Sequence, residues 1–315
     1  VTEGFITGDT CGYLVDVPPV AGPCVFLDET RSDSDVSPSL TLRYFAEDDL
    51  MLYASVSRGF KSGGFDQRRV PEGENGEFDE ETATNFELGW KGSWFGRRMQ
   101  LNGTFYYVDY DDFQSQTFDG SSIKVTNAGA MESYGMELEL VAVLSQDLTL
   151  GSAVGYNKAE YDEFDNGQCT VEYSAEQYYS DPANNISPGF ADPPCLVDLA
   201  GEDVDNTPEW TVSSYLQYHY ALTKDLISVT RLEYNYTDDY FLDQDLDPNL
   251  KNDEAHLVNL RFTLSNAAND WEVALWGRNL SDEETYAYGI DIPTLGGFAG
   301  IPAPERTYGI TLRYY

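Results

Sequence analysis

The segment that decides the fold reads Thr84-Asn-Phe-Glu-Leu-Gly-Trp-Lys-Gly-Ser-Trp94. Most of its even positions carry apolar side chains, among them Phe86, Leu88 and Trp90, whereas its odd positions are polar or small. Successive side chains of a β-strand point to opposite faces of the sheet. The alternation therefore predicts a strand with one apolar face and one polar face.

The same alternation continues in the next two predicted strands. A tight basic turn at residues 95–98 leads into a strand with Leu101 and Phe105 on its apolar side, and a third strand places Glu137 and Glu139 on its polar side. Long strands that repeat this pattern are typical of a wall between lipid and a water-filled lumen. The predicted fold class is all-β, an antiparallel transmembrane β-barrel. The predicted lipid-facing set includes Phe86, Leu88, Trp90, Leu101, Phe105, Leu138, Leu140, Leu216, Leu260 and Leu312.

Composition restricts the class of protein. The 315 residues carry a net charge of −37, from 55 acids and 18 bases, which disfavours nucleic acid as a partner because phosphate binding needs a basic surface. Aromatic residues make up 14% of the chain, which suits the aromatic girdles of a membrane barrel. No apolar run of about 18 residues predicts a transmembrane helix. Because the first residues lack the features of a signal peptide, we expect that one was removed or that the chain starts within a longer protein.

Eleven strands are predicted, separated alternately by short turns and mostly long connections. They lie near residues 36–45, 50–58, 84–94, 99–107, 134–142, 148–162, 207–221, 226–240, 254–266, 271–281 and 305–315. Bacterial outer-membrane barrels have short periplasmic turns and long external loops. Residues 1–35 are therefore predicted to form an extracellular loop. An open sheet of eleven strands would leave two unpaired edges in hydrocarbon, so residues 36–315 are predicted to be the C-terminal half of a larger barrel.

Four cysteines fall into two local pairs, Cys11 with Cys24 and Cys169 with Cys195, each within a polar segment rich in Pro and Gly. The spacing of a metal site such as Cys-x-x-Cys is absent. We predict two disulfides that close outer loops, and hence an oxidising compartment. The alternative is that these residues are buried free thiols.

Several segments resemble TonB-dependent outer-membrane receptors, and together they cover most of the chain from about residue 36. The segment Leu52-Tyr-Ala-Ser-Val-Ser-Arg-Gly-Phe-Lys-Ser-Gly-Gly-Phe65 is similar to the mid-barrel signature of that family. The further segments that resemble the family, in chain order, are Thr82–Lys91, Asn127-Ala-Gly129 followed by Tyr134–Glu139, Asn279-Leu-Ser-Asp282, and Pro304–Gly309 with the end Thr311–Tyr315. The family usually ends on an aromatic residue in phase with its lipid-facing side chains, whereas Tyr315 falls on the other face.

The resemblance implies a barrel of 22 strands around an N-terminal plug, of which this chain holds about half. It implies residence in the outer membrane of a Gram-negative bacterium, among lipid and lipopolysaccharide. It further implies energy-coupled uptake through TonB, by way of an N-terminal region that this chain does not contain. The commonest cargo of the family is a ferric siderophore, and vitamin B12, haem and oligosaccharides are alternatives.

No cofactor is predicted, except that Ca²⁺ is an option in the acidic outer loops. Asp243, Asp245, Asp247 and Glu254 occupy positions 1, 3, 5 and 12 of a loop that resembles the EF-hand pattern. Pro248 stands where that pattern requires Gly, and no helix pattern flanks the loop. An EF-hand is thus not expected, and the choice is between irregular Ca²⁺ binding and a solvated acidic loop.

Residues that contact the cargo are expected on the rims and loops. The basic candidates are Arg58, Lys61, Arg68 and Arg69, which would meet an anionic ligand or simply balance nearby acids. The aromatic candidates, which would stack on a sugar or on an aromatic chelate, or only on one another, are Tyr173, Tyr178, Tyr179, Phe190 and Tyr286.

No catalytic constellation is found, so the chain is not expected to be an enzyme. Two alternatives to an active receptor stay open at this stage. One is a passive porin or a structural barrel of the outer membrane. The other is a secreted all-β module that binds carbohydrate.

Overall fold

The computed structural model describes residues 30–65, 76–118, 123–127, 129–171, 173, 196–292 and 297–315. Most of the predicted extracellular loop 1–35 lies outside these residues, and the division of the chain at residue 35 stays a prediction. No helix in the described ranges is long and apolar enough to cross a membrane. Within these ranges the secondary structure is dominated by strands.

In chain order the strands are β1 (Ser39–Glu47), β2 (Leu50–Lys61), β3 (Gly64–Phe65), β4 (Glu77–Phe78), β5 (Glu81–Trp94), β6 (Met99–Asp111), β7 (Gln114–Phe118), β8 (Ile123–Asn127), β9 (Ala130–Val143), β10 (Leu148–Glu163), β11 (Gly167–Gln168), β12 (Leu196–Val197), β13 (Trp210–Ala221), β14 (Leu226–Thr237), β15 (Tyr240–Phe241), β16 (Lys251–Asn252), β17 (Ala255–Asn266), β18 (Trp271–Arg278), β19 (Tyr286–Ile292), β20 (Gly297–Pro302) and β21 (Thr307–Tyr314). A short 3₁₀ helix, Pro248–Leu250, lies between β15 and β16.

Eleven of these strands form one antiparallel sheet in the order β1-β2-β5-β6-β9-β10-β13-β14-β17-β18-β21. The predicted fold class and strand number are therefore confirmed. Short turns join the strands at one end of the sheet, and long connections join them at the other. In the described part of the chain, β1 and β21 are the two edges and are not paired with each other, so the sheet is not closed.

The register confirms the predicted alternation. Leu88 pairs with Phe105, and Leu216 pairs with Leu232, which pairs with Leu260. Cross-strand partners share a face, and the register of the whole sheet places all ten predicted lipid-facing residues on one face, which we name the apolar face. The members of that set with the most exposed side chains are Phe86, Leu88, Phe105, Leu216, Leu260 and Leu312.

The opposite, polar face carries the complementary set of side chains. Arg231 donates to Glu233 at 2.6 Å, and its guanidinium carbon lies 3.8 Å from the centre of the Tyr215 ring. Glu272 accepts from Arg261 at 2.9 Å and from Arg313 at 3.2 Å. The same strand supplies the charged partner of Arg231, and the two neighbouring strands supply those of Glu272.

Each long connection carries a two-stranded sheet of its own, which the sequence pattern did not predict. The pairs are β3-β4, β7-β8, β11-β12, β15-β16 and β19-β20. Three of the five have strands of only two residues, too short to show a period-two pattern. We name the described residues of these five connections the outer layer.

Candidate functional site

Side-chain hydrogen bonds link four of the five connections of the outer layer. The Gln114 Nε2 donates to the carbonyl oxygens of Ser62 and Asp79 at 3.0 and 2.9 Å, which joins the connection holding β7-β8 to the one holding β3-β4. The Gln244 side chain donates to Ser115 Oγ, which extends the link to the connection holding β15-β16. Asn252 then joins that connection to the next, because it accepts from Tyr286 N and donates to Tyr286 O, both at 2.9 Å.

A small apolar cluster supports this layer. Tyr161 and Phe164 are almost fully buried, with ring centres 4.9 Å apart. Leu246, from the connection that carries β15-β16, packs against the same cluster. The other buried members are Met131, Ala159, Leu199 and Val204. The connection between β14 and β17 is therefore held against the end of the sheet from which the long connections emerge. This connection contains Asp243, Asp245 and Asp247.

Three buried carboxylates meet in the outer layer. Asp245, Asp247 and Asp291 are 4%, 0% and 5% exposed, and one oxygen of each lies within 4.8 Å of one oxygen of the other two. Asp245 and Asp247 belong to the connection between β14 and β17, whereas Asp291 lies in β19. The cluster, which we name the triad, therefore spans two connections.

The local backbone fixes each carboxylate of the triad. The Asp247 Oδ1 caps the 3₁₀ helix by accepting from Asn249 N at 2.7 Å, and Asp245 Oδ1 accepts from Asp247 N at 3.2 Å. The Asp291 Oδ2 accepts from Val171 N at 3.1 Å, so the connection between β10 and β13 also reaches the site. In each residue the other oxygen is buried and has no hydrogen-bond donor.

Burial without a positive partner perturbs the acidity of these groups. Burial raises the pKa of Asp243 to about 6. Burial, together with the adjacent carboxylate of Asp291, raises the pKa of Asp245 to about 9, and burial also raises the pKa of Asp291. Among the described residues, no Lys or Arg is ion-paired with the triad. Lys251, four positions after Asp247 in the sequence, pairs with Asp239 instead. The site as it stands favours either a bound proton or a bound cation.

The triad shares only part of the predicted metal set. Asp245 and Asp247 are brought together, and Asp243 lies beside them, accepting from Asp291 N at 3.2 Å. Glu254 does not join them: its side chain is largely exposed, and it accepts from Tyr236 Oη at 3.4 Å. Asp291 was missed, and the signal for it was slight, a single acid between Ile290 and Ile292.

The predicted cargo residues are not brought together by any contact among the described residues. Arg58 lies in phase with the apolar face and pairs with Asp35 at 3.7 Å. Lys61 pairs with Glu81 at 3.7 Å, whereas Tyr173 and Tyr286 are exposed. Arg68, Arg69, Tyr178, Tyr179 and Phe190 lie outside the described residues. Their role in binding stays a prediction.

The two disulfide pairings also stay predictions. Cys169 is buried in the outer layer next to β11. Cys11, Cys24 and Cys195 lie outside the described residues.

Comparison with known proteins identifies the family to which the chain belongs. Residues 15–280 match the family model described as TonB dependent receptor-like, beta-barrel. Among solved structures, the chain is similar to the ferric yersiniabactin uptake receptor FyuA from Yersinia pestis, with a TM-score of 0.64 and 20% identity over 88% of this chain. It is also similar to the ferric-catecholate import receptor Fiu from E. coli K12, with a TM-score of 0.61 and 15% identity over 95% of this chain.

A third similar structure is the ferripyoverdine receptor of the outer membrane of Pseudomonas aeruginosa, bound to ferripyoverdine, with a TM-score of 0.60 and 13% identity over 93% of this chain. The match covers only 36%, 37% and 34% of the three solved chains, so this chain spans about a third of their length. The likeness in structure concerns the fold, whereas the family model matches most of the chain. The chain therefore belongs to the family of TonB-dependent receptor-like β-barrels.

Proposed function

We propose that this chain is part of an outer-membrane receptor that imports a ferric siderophore with energy supplied through TonB. The observation that carries the proposal is the match of nearly the whole chain to receptors whose names specify ferric siderophores, combined with the family match over residues 15–280. TonB-dependent receptors are transporters rather than enzymes, as the lack of a catalytic constellation led us to expect. Under this proposal the protein resides in the outer membrane of a Gram-negative bacterium.

The two faces of the sheet suit this role. The apolar face presents exposed Leu88, Phe105 and Leu232, which would contact lipid. The polar face presents Arg231, Glu233 and Glu272, which would contact water, cargo or a plug. A wall that alternates in this way separates hydrocarbon from a polar passage.

Charge narrows the class of cargo. The segment 163–206 holds ten acids and no Lys or Arg, and the whole chain carries a net charge of −37. An acidic mouth repels polyanions over about one Debye length, roughly 8 Å at physiological salt, and concentrates cations. A neutral, cationic or metal-bearing cargo is therefore favoured, and a ferric chelate that is not strongly anionic meets this condition.

The test is uptake of iron by cells. The complete receptor would be expressed in a Gram-negative strain that lacks its own siderophore receptors, in one background with TonB and in one without it. Cells would be supplied with radioactive iron bound to catecholate, hydroxamate or phenolate siderophores of differing charge. We expect uptake from at least one siderophore, and only in the background with TonB.

Other outcomes would replace the proposal. Uptake of small sugars that is equal in both backgrounds would identify a passive porin. Binding of vitamin B12, haem or an oligosaccharide, with no iron uptake from any siderophore, would keep the receptor but change its cargo. Detergent-free solubility of the complete protein together with carbohydrate binding would favour the secreted module.

A further inference from the structure

The triad leaves negative charge buried without compensation. Asp245 Oδ2, Asp247 Oδ2 and Asp291 Oδ1 are inaccessible to solvent and accept no hydrogen bond. Buried carboxylates without a partner are costly, and proteins normally pair them with cations or with metal ions. Two occupants would relieve the cost here, a proton shared between Asp245 and Asp291 or a metal ion held by all three residues.

Geometry distinguishes between these occupants. A proton shared between two carboxylates would leave the third, Asp247, without compensation, although Asp247 is the most completely buried of the three. A metal ion between the three carboxylates would compensate all of them at once, because one oxygen of each lies within 4.8 Å of one oxygen of the other two. Oxygens bound to Ca²⁺ at roughly 2.3–2.6 Å are at most about 5 Å apart, and carboxylates are ligands that this hard cation prefers.

The backbone around the triad also fits a binding site. The second oxygen of each carboxylate is engaged by a main-chain N–H, those of Asp247, Asn249 and Val171. These bonds hold the carboxylates in place and leave the other oxygen of each without a hydrogen-bond partner. In metal sites generally, hydrogen bonds of this kind orient the side chains that coordinate the ion.

We propose that Asp245, Asp247 and Asp291 bind a Ca²⁺ ion that ties the connection between β14 and β17 to the connection between β18 and β21. Through the bond from Val171 to Asp291, the ion also orders the connection between β10 and β13. The ion stabilises the outer layer, and its binding does not depend on which cargo the receptor carries.

The test is calorimetric titration of Ca²⁺ into the complete receptor, purified in detergent and stripped of metal with a chelator. We expect saturable binding to the wild type with a dissociation constant in the range of about 10⁻⁷–10⁻³ M that sensors and extracellular calcium sites cover. The variants Asp247→Asn and Asp291→Asn should each weaken binding by about tenfold or more, since each removes a charged ligand. Asn at position 247 keeps an oxygen for the cap of the 3₁₀ helix.

Two matched controls keep the result specific. Glu254→Gln removes a nearby acid that lies outside the triad and should leave the affinity for Ca²⁺ unchanged. Mg²⁺ should bind more weakly than Ca²⁺, because it demands shorter bonds and near-ideal octahedral geometry.

A second measurement avoids the question of whether the variants fold. In the wild type, hydrogen–deuterium exchange at residues 243–252 and 286–292 should slow when Ca²⁺ is added, whereas exchange in β5 and β6 should not change. The proposal is overturned if the wild type binds no Ca²⁺, if Asp291→Asn binds as the wild type does, or if Glu254→Gln loses as much affinity as Asp291→Asn. The first two results would point to the shared proton, and the third to a ligand set around Glu254.

Discussion

The eleven-stranded sheet, which we name the wall, and the outer layer balance their polar groups in different ways. In the wall, Glu272 meets Arg261 and Arg313 from the neighbouring strands, and Arg231 meets Glu233 on its own strand. The wall does contain unpartnered buried oxygens, but those of Asn85 and Asn102 are neutral amide oxygens. In the outer layer, by contrast, the unpartnered buried oxygens include one from each carboxylate of the triad.

This difference indicates what each region needs in order to stay folded. The wall is specified by its register and its two solvents, lipid on one face and water on the other, and needs no ligand. The triad gathers three acids from two connections, and no described Lys or Arg is ion-paired with them. Under the proposal above, the stability of the outer layer therefore depends on a bound cation. Substitutions in the two regions should therefore affect different observables.

The largest expected effect comes from charge on the apolar face. Leu88 lies near the middle of β5, and its side chain is 60% exposed on that face. Leu88→Arg should lower the free energy of unfolding by about 2–4 kcal/mol, because it places a cation near the centre of the bilayer. The measurement is denaturant unfolding of the complete receptor in lipid vesicles.

Glu87→Arg is the matched control, one residue away on the polar face. It loses bonds to Ser55 and Asn85 and should cost only about 1 kcal/mol, since the new charge stays in water. If Glu87→Arg proved the more damaging of the two, the faces would be assigned the wrong way round.

The next effect concerns packing within the wall. A Cβ atom at Gly151 would clash with the Tyr215 ring, which also contacts the guanidinium of Arg231. Gly151→Val should displace that ring and reduce the free energy of unfolding by about 1–3 kcal/mol. Gly59→Val is the control, because nothing lies within 4 Å of a Cβ there. Equal stability of the two variants would show that Tyr215 moves aside without cost.

The wall could be predicted from sequence because its signal is local. Alternation with a period of two specifies which face each side chain occupies, and it placed all ten predicted apolar-face residues correctly. Some motifs that carried the family resemblance now have a structural explanation. The Asn127 side chain donates to the carbonyls of Asp79 and Asp112, and Asn279 accepts from Glu283 N, so both residues fasten connections to the rim of the sheet.

The triad could not be predicted in full, because its members come together only through the fold. Asp291 follows Asp247 by 44 positions, and no local pattern relates the two. Glu254 was included because it fitted a linear spacing of ligands, but the 3₁₀ helix Pro248–Leu250 and strand β16 direct the chain away from the triad before Glu254 is reached. Ligand sets assembled from separate loops require the tertiary structure.

A third prediction tests how the outer layer is joined without a metal ion. Asn252 is buried and forms two hydrogen bonds to the main chain of Tyr286. Asn252→Ala should favour local opening by about 1–3 kcal/mol, because it leaves both main-chain groups without partners. Hydrogen exchange should accelerate near Tyr286 and stay unchanged in β5. The exposed neighbour Asp253→Asn is the control, and uniform acceleration throughout the wall would contradict a separate outer layer.

The smallest expected effect lies in the charge network of the polar face. Glu272, on β18, accepts from Arg261 on β17 and from Arg313 on β21, so it links three adjacent strands. The three side chains are partly exposed, and pairs of this kind are worth only about 0.2–1 kcal/mol. A double-mutant cycle with Glu272→Gln and Arg261→Gln should give a coupling energy in that range. The coupling should shrink as salt is added, because a lumen filled with water admits ions.

A coupling of about 3 kcal/mol or more, insensitive to salt, would instead indicate that the pair is desolvated. The wall would then resemble the outer layer in burying its charges, and the contrast between the two regions would not hold.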